Sequence, residues 1–239
     1  IDAATGVVTF RTAPDFENPA DADGDNVYEL TVTASDGTTA TDQTVQVTVT
    51  NGNDNAPVIT SAASASVAEN QSAALDVDAT DPDGDTLSYS LSGTDAALFT
   101  IDSGTGVVTF RTAPDFENPA DADGDNVYEL TVTASDGTTA TDQTVQVTVT
   151  NGNDNAPVIT SAASASVSEN QTAALDVDAT DPDGDALTYS LSGTDAALFS
   201  IDAATGVVTF RTAPDFENPA DADGDNVYEL TVTASDGTT

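Results

Sequence analysis

The sequence predicts an all-β protein made of tandem β-sandwich domains, and three features of the chain predict it. The 239 residues repeat with a period of one hundred, so that residues 1–39 return as residues 201–239 with every residue identical. Apolar residues alternate with polar ones along short segments, as in strands that bury one face. Turn signals recur about every ten residues, and no segment has helical periodicity. Two sheets must therefore pack together to bury these apolar faces.

The first half of the complete period, which begins at Pro57, predicts three strands. Residues 58–67 are rich in Ser and Ala with β-branched residues at the ends, which favours a loosely packed edge strand. Residues 74–80 alternate strictly between apolar and polar side chains, and residues 86–91 repeat the pattern with Leu and Tyr facing inward. Pro and Gly in the segment 81–85 mark the turn between these two strands.

The second half of the period predicts four more strands. Residues 97–101 form a short apolar strand, and residues 107–111 form another after a Thr-Gly turn. Residues 115–126 are the longest irregular stretch and the most acidic one. Residues 128–134 and 145–149 alternate most clearly, on either side of an Asp-Gly turn. Seven short strands in about 95 residues are typical of an antiparallel β-sandwich of immunoglobulin-like shape.

The charge of the chain excludes several classes of partner. It contains 42 acidic residues against three basic ones, a formal net charge of −39, with no His. Nucleic acid is excluded because binding its phosphates requires Lys and Arg, and anionic membrane surfaces are disfavoured for the same reason. No apolar run approaches the ~20 residues of a membrane span, so direct membrane insertion is not expected. The regular apolar strands indicate a folded chain, so we expect the acids to meet cations.

The residue types that are missing restrict the chemistry further. The chain has no Cys, His, Met or Trp, which removes disulfides and the usual zinc and copper sites. An enzyme has almost no support, since no His, Cys or Lys is present to act as nucleophile or base. The polar groups that remain offer mainly oxygen atoms as metal ligands.

The segment Asn51–Pro57, which returns unchanged as Asn151–Pro157, has the composition of a linker. Asn, Asp and Gly tolerate turn conformations, and Pro ends ladder pairing, so we expect a short exposed connection between folded units. Its carboxylate, carboxamides and backbone carbonyls are the oxygen ligands that Ca²⁺ takes. The sequence therefore predicts calcium at these linkers.

Domain boundaries placed at the linkers divide the chain into five segments. They are the C-terminal part of a repeat (1–50), a calcium linker (51–56), a complete repeat (57–150), a second calcium linker (151–156) and a repeat that lacks its last strand (157–239).

Five acidic motifs follow one another through the period. They are Ala68-Glu69-Asn70, Asp81-Pro82-Asp83, Asp115-Phe116-Glu117, Ala134-Ser135-Asp136 and the linker sequence Asn-Asp-Asn-Ala-Pro. In this order and at these spacings they resemble the motifs of cadherin domains, specifically the cadherin-like repeats of large bacterial surface proteins. The resemblance covers the whole period and implies seven-stranded Greek-key, cadherin-type sandwiches in a linear array.

The resemblance also implies about three Ca²⁺ ions at each boundary. At the first boundary the implied ligands are Asp15, Glu17, Asn53, Asp54, Asn55, Asp81, Asp83 and Asp136. At the second boundary they are Glu69, Asp115, Glu117, Gly152, Asn153, Asp154, Asn155, Asp181, Asp183 and Asp236. One departure is that each linker begins with Asn, at Asn51 and Asn151, where the family usually has Asp. An amide ligates without charge, so we expect one ion to be weaker or absent.

The charge of the second set supports metal binding independently of the family. Its carboxylates number seven, for a charge of −7: Glu69, Asp115, Glu117, Asp154, Asp181, Asp183 and Asp236. Without metal they repel one another by about 1 kcal/mol per close pair even in water, so the joint should splay. Ions that bridge both domains and the linker would remove this repulsion and fix the interdomain angle.

The acidic loop at residues 121–126 leaves two interpretations open. It resembles the first half of an EF-hand loop, but its glycine falls at position four and the closing glutamate is replaced by Val132. The loop is either an extra calcium site or a solvated turn. Asp76, Asp78 and Asp142 lie on outward strand positions, where we expect them to face solvent.

These features predict a calcium-rigidified tandem-repeat region of a very long extracellular or cell-surface fibrous protein. Such a region would be an adhesin stalk or a filament in cell adhesion or matrix structure. Its expected partners are neighbouring repeats of the same chain and identical chains in a filament. The alternative is that the repeats themselves bind glycans or associate homophilically. Glycan sites usually present exposed aromatic side chains, and Phe116 is the one candidate for an exposed ring.

Overall fold

The computed structural model describes residues 1–238, and its regular secondary structure is almost entirely β-strand. The first, partial repeat contains β1 (Val27–Ser35) and β2 (Ala40–Thr48). The complete repeat contains β3 (Val58–Ile59), β4 (Ser64–Ala68), β5 (Ala73–Asp76), β6 (Ala79–Thr80), β7 (Ser88–Ser92), β8 (Phe99–Ile101), β9 (Val107–Phe110), β10 (Val127–Ser135) and β11 (Ala140–Thr150). The third repeat contains β12 (Val158–Ile159), β13 (Ala173–Asp176), β14 (Ala179–Thr180), β15 (Thr188–Ser192), β16 (Phe199–Ile201), β17 (Val207–Phe210) and β18 (Thr231–Ser235).

The complete repeat folds as a sandwich of two sheets. One sheet has the order β4-β11-β10-β7 and the other the order β5-β9-β8, while β3 and β6 form a short separate pair. The hairpin of β10 and β11 is antiparallel, with Tyr128 opposite Val147 and Leu130 opposite Val145. Four strands in one sheet and three in the other match the seven-stranded sandwich that the sequence predicts.

Alternation along β10 and its neighbours builds the core. Tyr128, Leu130, Val132 and Ala134 are at most 1% exposed, and the residues between them point outward. The aromatic rings of Phe99 and Phe110 each meet the ring of Tyr128 edge to face, with centroids 5.6 and 5.2 Å apart. Such pairs add stabilisation beyond the apolar area that they bury.

Two of the predicted strands are each divided in the structure. The segment 74–80 pairs first with β9 as β5 and then with β3 as β6, with an irregularity in the register next to Ala73. The segment 58–67 likewise divides, because β3 pairs with β6 whereas β4 pairs with β11. Each segment contributes one part to a sheet and the other part to the separate pair of β3 and β6, and a period-two pattern cannot reveal such a change because the alternation continues through it.

The predicted strand at 97–101 begins two residues too early. Residues Ala96–Leu98 form a single 3₁₀ turn in which the Leu98 amide donates to the Asp95 carbonyl oxygen. The extended part of the segment is β8, which begins directly after this turn. Short apolar runs are ambiguous between helix and strand, and tertiary context decides between them.

The chain divides into two compact units. One comprises Ile1–Val67, Gln71–Ala113 and Ala120–Thr148, and the other comprises Ala68–Asn70, Pro114–Pro119 and the chain from Val149 onward. The ligand sets that the resemblance implies at the first and second boundaries therefore fall within the first and second unit respectively. None of the helices in the described part of the chain has the length and apolar character that a membrane span requires.

Candidate calcium sites at the two linkers

Glu69 is the most deeply buried of the predicted ligands. It follows β4, its amide donates to the Thr150 carbonyl oxygen, and the next residue, Asn70, turns the chain with a φ of 62°. This turn directs the Glu69 side chain inward, where it is 5% exposed. Its Oε1 accepts a hydrogen bond from the Gly152 amide at 2.6 Å, and its Oε2 accepts one from the Phe116 amide at 2.9 Å. Glu69 thus joins the Asp-Phe-Glu motif to the second linker.

Three carboxylates converge at the second linker. One carboxylate oxygen each from Glu69, Glu117 and Asp154 lie within 4.8 Å of one another. Asp183 is bound to the same linker, because its Oδ2 accepts from the amides of Asp154 and Asn155 at 3.0 and 2.8 Å. The structure therefore brings together residues from four separate motifs.

The side-chain amide of Asn155 lies among these carboxylates. Its Nδ2 donates to Glu117 Oε2 at 3.1 Å and to oxygens of Asp154 and Asp183 at 2.8 Å. The NH₂ hydrogens of Asn155 carry a partial positive charge, which offsets part of the negative charge of the three carboxylates. A cation at the same position would neutralise these carboxylates more fully.

The first linker has the same arrangement. Carboxylate oxygens of Glu17, Asp54 and Asp83 lie within 4.8 Å of one another. Asp83 Oδ2 accepts from the amides of Asp54 and Asn55 at 3.1 and 2.8 Å, and Asn55 Nδ2 donates to Glu17 Oε2 at 3.3 Å. The hydrogen bonds among these linker and neighbouring residues are thus repeated at both boundaries.

The proton affinities of these acids reflect their crowding. Burial and the negative charges of Glu69 and Asp183 raise the pKa of Glu117. The pKa of Glu17 is raised by burial and by its contact with Asp83. The pKa of Asp83 is lowered instead, because the Asn55 side chain and amide donate hydrogen bonds to its charged form. Like charges held together in this way favour a cation as counter-charge.

Several buried oxygens at the linkers have no hydrogen-bond donor among residues 1–238. They are Asn53 Oδ1, Asp81 Oδ2 and Asp181 Oδ2. The other oxygen of Asp81 accepts from the amides of Asp83 and Asp85, so only one side of the carboxylate is satisfied by the protein. A buried acceptor without a partner is costly, and a bound cation would satisfy it. The residues present therefore fit Ca²⁺, which takes six to eight oxygen ligands.

The remaining predicted ligands are engaged in their own turns. Asp136 Oδ1 accepts from the amides of Thr138 and Thr139, both at 2.6 Å, and its pKa is lowered mainly by the Thr139 hydroxyl. Asn53 contacts the backbone carbonyl of Asp136 rather than its side chain, at 3.4 Å. Asn153 Nδ2 likewise donates to the backbone carbonyl of Asp236 at 3.4 Å, and Asp236 Oδ1 accepts from the Thr238 amide at 2.8 Å. Asp15 and Asp115 each accept an amide hydrogen bond from the asparagine three residues later.

Two residues at these acidic sites were not identified from the sequence as contributors. The side-chain Nδ2 of Asn70 donates to Asp154 Oδ2, and the 84 residues that separate the two leave no local pattern that indicates this contact. Asp95 is 3% exposed and accepts hydrogen bonds from the amides of Ala122 and Glu129 at 2.9 and 2.8 Å. It anchors the acidic loop, but it lies 26 residues before that loop, so no local pattern reveals it.

The acidic loop itself gathers three carboxylates. Oxygens of Asp121, Asp123 and Asp125 lie within 4.8 Å of one another, and the charge of Asp125 raises the pKa of Asp123. Asp121 Oδ2 accepts from the Asp125 amide at 2.9 Å, so one carboxylate also serves the turn.

The outward positions on the strands are exposed as predicted. Asp76, Asp78 and Asp142 all face solvent. Phe116 is half-buried, so the prediction of an exposed ring is wrong at this position, because its backbone is held against Glu69. Its copy Phe216 is exposed, at 64%, and so is Phe10, at 44%.

Comparison with known proteins identifies related chains. The family model described as "Cadherin domain" matches residues 63–150 and 163–239. Mouse cadherin-23 is 36% identical over 261 aligned residues, which include 99% of this chain. Chitinase A of Pseudoalteromonas piscicida is 39% identical over 126 residues, or 52% of this chain. The chain spans 7% of the length of mouse cadherin-23 and 14% of that of the chitinase.

Solved structures with the same fold support this likeness. Repeats EC22-24 of mouse cadherin-23 superimpose with a TM-score of 0.64 at 29% identity, covering 95% of this chain and 72% of that one. A structure of protocadherin gammaB7 EC3-6, described as a cis-dimer, gives a TM-score of 0.66 at 27% identity, covering 89% of this chain and 55% of that one.

Proposed function

Because the chain belongs to the cadherin domain family, we propose that it is a calcium-rigidified region of a very long extracellular or cell-surface fibrous protein. In this proposal it serves as an adhesin stalk or filament in cell adhesion or matrix structure. Cadherin domains are extracellular, non-enzymatic adhesion modules that generally bind Ca²⁺. The similarity to a bacterial chitinase is weak support for a bacterial surface protein.

The convergence at the second linker is the observation that carries the proposal. Glu69, Glu117 and Asp154 come from three motifs that are far apart in sequence, yet their carboxylate oxygens lie within 4.8 Å of one another. Acids in a solvated turn are normally exposed, whereas Glu69 is only 5% exposed. The unpartnered oxygen of Asp181 adds a further ligand within the same unit.

The proposed ligands at each boundary are those that the resemblance implies, with about three ions per boundary. The ions at the second boundary would be held by ligands from three places. The base of one repeat supplies Glu69, Asp115 and Glu117, the linker supplies Gly152 to Asn155, and the top of the next repeat supplies Asp181, Asp183 and Asp236. Within the linker, Asn153 and Asp154 would ligate through their side chains, and Gly152 and Asn155 through carbonyls. Because ligands come from both sides of the linker, metal binding restrains the backbone between them, and its free energy is conformational free energy.

The proposed domain boundaries remain at residues 51–56 and 151–156. With the boundaries placed there, each added repeat extends the reach of the chain, and the proposed partners are neighbouring repeats of the same chain and identical chains. The cis-dimer described for protocadherin gammaB7 supports contacts between chains as part of the proposal.

A second candidate function is glycan binding by the repeats. The partial match to a chitinase favours it, because repeats of this kind then occur in a protein whose name indicates a polysaccharide substrate. Retention of the metal-loaded chain on a chitin column would support this candidate, and free passage would exclude chitin as its ligand.

The proposal is tested by calcium titration with small-angle scattering. We expect the maximum dimension of the chain to increase as calcium is added and to decrease with chelator. Asp154→Ala should lower calcium affinity, whereas Asp76→Ala, which removes an exposed carboxylate on β5, should leave it unchanged. A dimension indifferent to chelator contradicts rigidification, and equal affinities of the two variants contradict the assigned ligands.

A further inference from the structure

The chain contains two Asn-Gly dipeptides, Asn51-Gly52 and Asn151-Gly152, and each begins a linker. In such a dipeptide the glycine nitrogen can attack the asparagine Cγ carbon, because glycine has no side chain to hinder the approach. The attack forms a C–N bond, expels the side-chain nitrogen as ammonia and leaves a five-membered succinimide. One solvent water then opens the ring to aspartate or isoaspartate. Amide and water are thus converted into carboxylate and ammonium.

The two dipeptides are accessible, and the backbone does not require their glycines. Asn51 and Asn151 are both exposed, and neither following glycine has a positive φ. A Cβ atom on Gly52 would meet nothing within 4 Å, and one on Gly152 would make an ordinary 3.4 Å contact with Glu69 Oε1. We propose that Asn51 and Asn151 are sites of spontaneous deamidation, which converts the neutral first residue of each linker into a carboxylate.

The conversion would change the local interactions of each linker. The Nδ2 atoms of Asn51 and Asn151 donate to the carbonyl oxygens of Asp83 and Asp183, each at 2.7 Å. A carboxylate cannot donate, so the hydrogen bond is lost and a negative charge appears beside the existing acids. The added negative charge would affect calcium binding only if the proposed function is correct. The deamidation itself does not depend on the proposed function.

The structure also predicts which of the two sites reacts first. The Gly152 N–H donates to the Glu69 carboxylate at 2.6 Å, whereas the Gly52 N–H has no hydrogen-bond acceptor among residues 1–238. Attack requires the glycine nitrogen to lose its proton, and an anionic acceptor stabilises the protonated form. Breaking such a charge-assisted bond should slow the reaction by about tenfold. Asn51 should therefore deamidate faster than Asn151, although the seven linker residues are identical.

The three arginines make the two sites separately measurable. Trypsin cleaves after Arg11, Arg111 and Arg211, so fragments 12–111 and 112–211 each contain one Asn-Gly. The 239-residue chain is incubated at neutral pH with chelator, digested, and analysed for the mass gain of NH₂ replaced by OH. Fragment-ion sequencing then locates the change. Isomerisation at Asp-Gly leaves the mass unchanged and does not interfere, and the chelator makes the result independent of calcium binding.

We expect the mass gain at Asn51 to appear about tenfold faster than at Asn151. Gly52→Ala should abolish the gain at Asn51, and Glu69→Ala should raise the rate at Asn151 to that at Asn51. A mass gain at Asn51 no faster than at Asn53 or Asn55, or one that persists in Gly52→Ala, would overturn the proposal. Equal rates at the two sites in the unmodified chain would overturn the protective role of Glu69.

Discussion

Replacing Glu69 by alanine should weaken the base of the complete repeat even without metal. Glu69 is 5% exposed, and its two carboxylate oxygens accept hydrogen bonds from the Gly152 and Phe116 amides at 2.6 and 2.9 Å. A hydrogen bond to a charged group contributes about 1.5–3 kcal/mol, and the truncation leaves two amides without their acceptor. Because the second linker is near solvent, water replaces part of the loss. We expect the free energy of unfolding to fall by about 2–4 kcal/mol.

The assay is urea denaturation followed by circular dichroism, in chelator and again in calcium. In chelator the variant should unfold at lower urea with an unchanged dependence on urea concentration. In calcium the wild-type chain should gain about 2.7 kcal/mol at a hundredfold excess over the dissociation constant, and the variant should gain less.

Glu169→Ala is the matched control. Glu169 occupies the equivalent position in the third repeat, but it is exposed and accepts a single amide hydrogen bond, from Phe216 at 3.0 Å. Its replacement should have a smaller effect in chelator and none on the calcium-dependent gain. Equal losses for the two variants, or no loss for Glu69→Ala, would refute the reasoning from burial and hydrogen bonding.

Three other expectations follow from the structure. Gly106→Ala should lower the melting temperature, because its φ is 82° and a methyl group would overlap the Val77 carbonyl oxygen, whereas Gly104→Ala should not; equal melting temperatures would contradict this. Amide hydrogen exchange should be slow at residues 107–110 and fast at their sequence-identical copies one hundred residues earlier, so equal protection would contradict the strand assignment. The pKa of Asp102 is lowered by the turn amides that bind its charged form, so its stabilisation is complete above the ordinary value of 3.8 and is lost as pH falls through the lowered value. Asp102→Asn should therefore reduce the loss of stability on acidification, as measured by thermal unfolding between about pH 2 and 5, and an unchanged loss would contradict the role of this turn.

The candidate site was predictable where its chemistry is local. The acid, amide and glycine pattern of the linkers indicated oxygen ligands, and the resemblance to cadherin repeats implied which acids would meet. The roles of Asn70 and Asp95 were not predictable, because each depends on contacts with residues distant in sequence. The Asp136 carboxylate is a different case, because the amides of Thr138 and Thr139 that donate to it lie in its own turn.

The repeats separate what sequence determines from what tertiary structure decides. Residues 7–10 have the same sequence as β9 and β17, yet they form no strand, and Val8 and Phe10 are 45% and 44% exposed. In the copies, β9 and β17 lie between two partner strands, which supply the backbone hydrogen bonds, and the equivalent Val and Phe side chains are at most 6% exposed. The alternating sequence determines which face of a strand will be apolar, but the partner strands decide whether the strand forms.

The third repeat gives the converse case. Residues 227–230 form no strand, although the identical residues begin β1 and β10 in the other repeats. In those repeats β2 and β11 pair with them, and residues 157–238 contain no counterpart of either strand. An isolated strand leaves its amides and carbonyls unpaired and cannot offset the entropy of extending the chain. The amino-acid sequence by itself determined the period, the turns, the apolar faces and the acids of the linkers, whereas the presence of a pairing strand decided which copies of the same sequence became sheet.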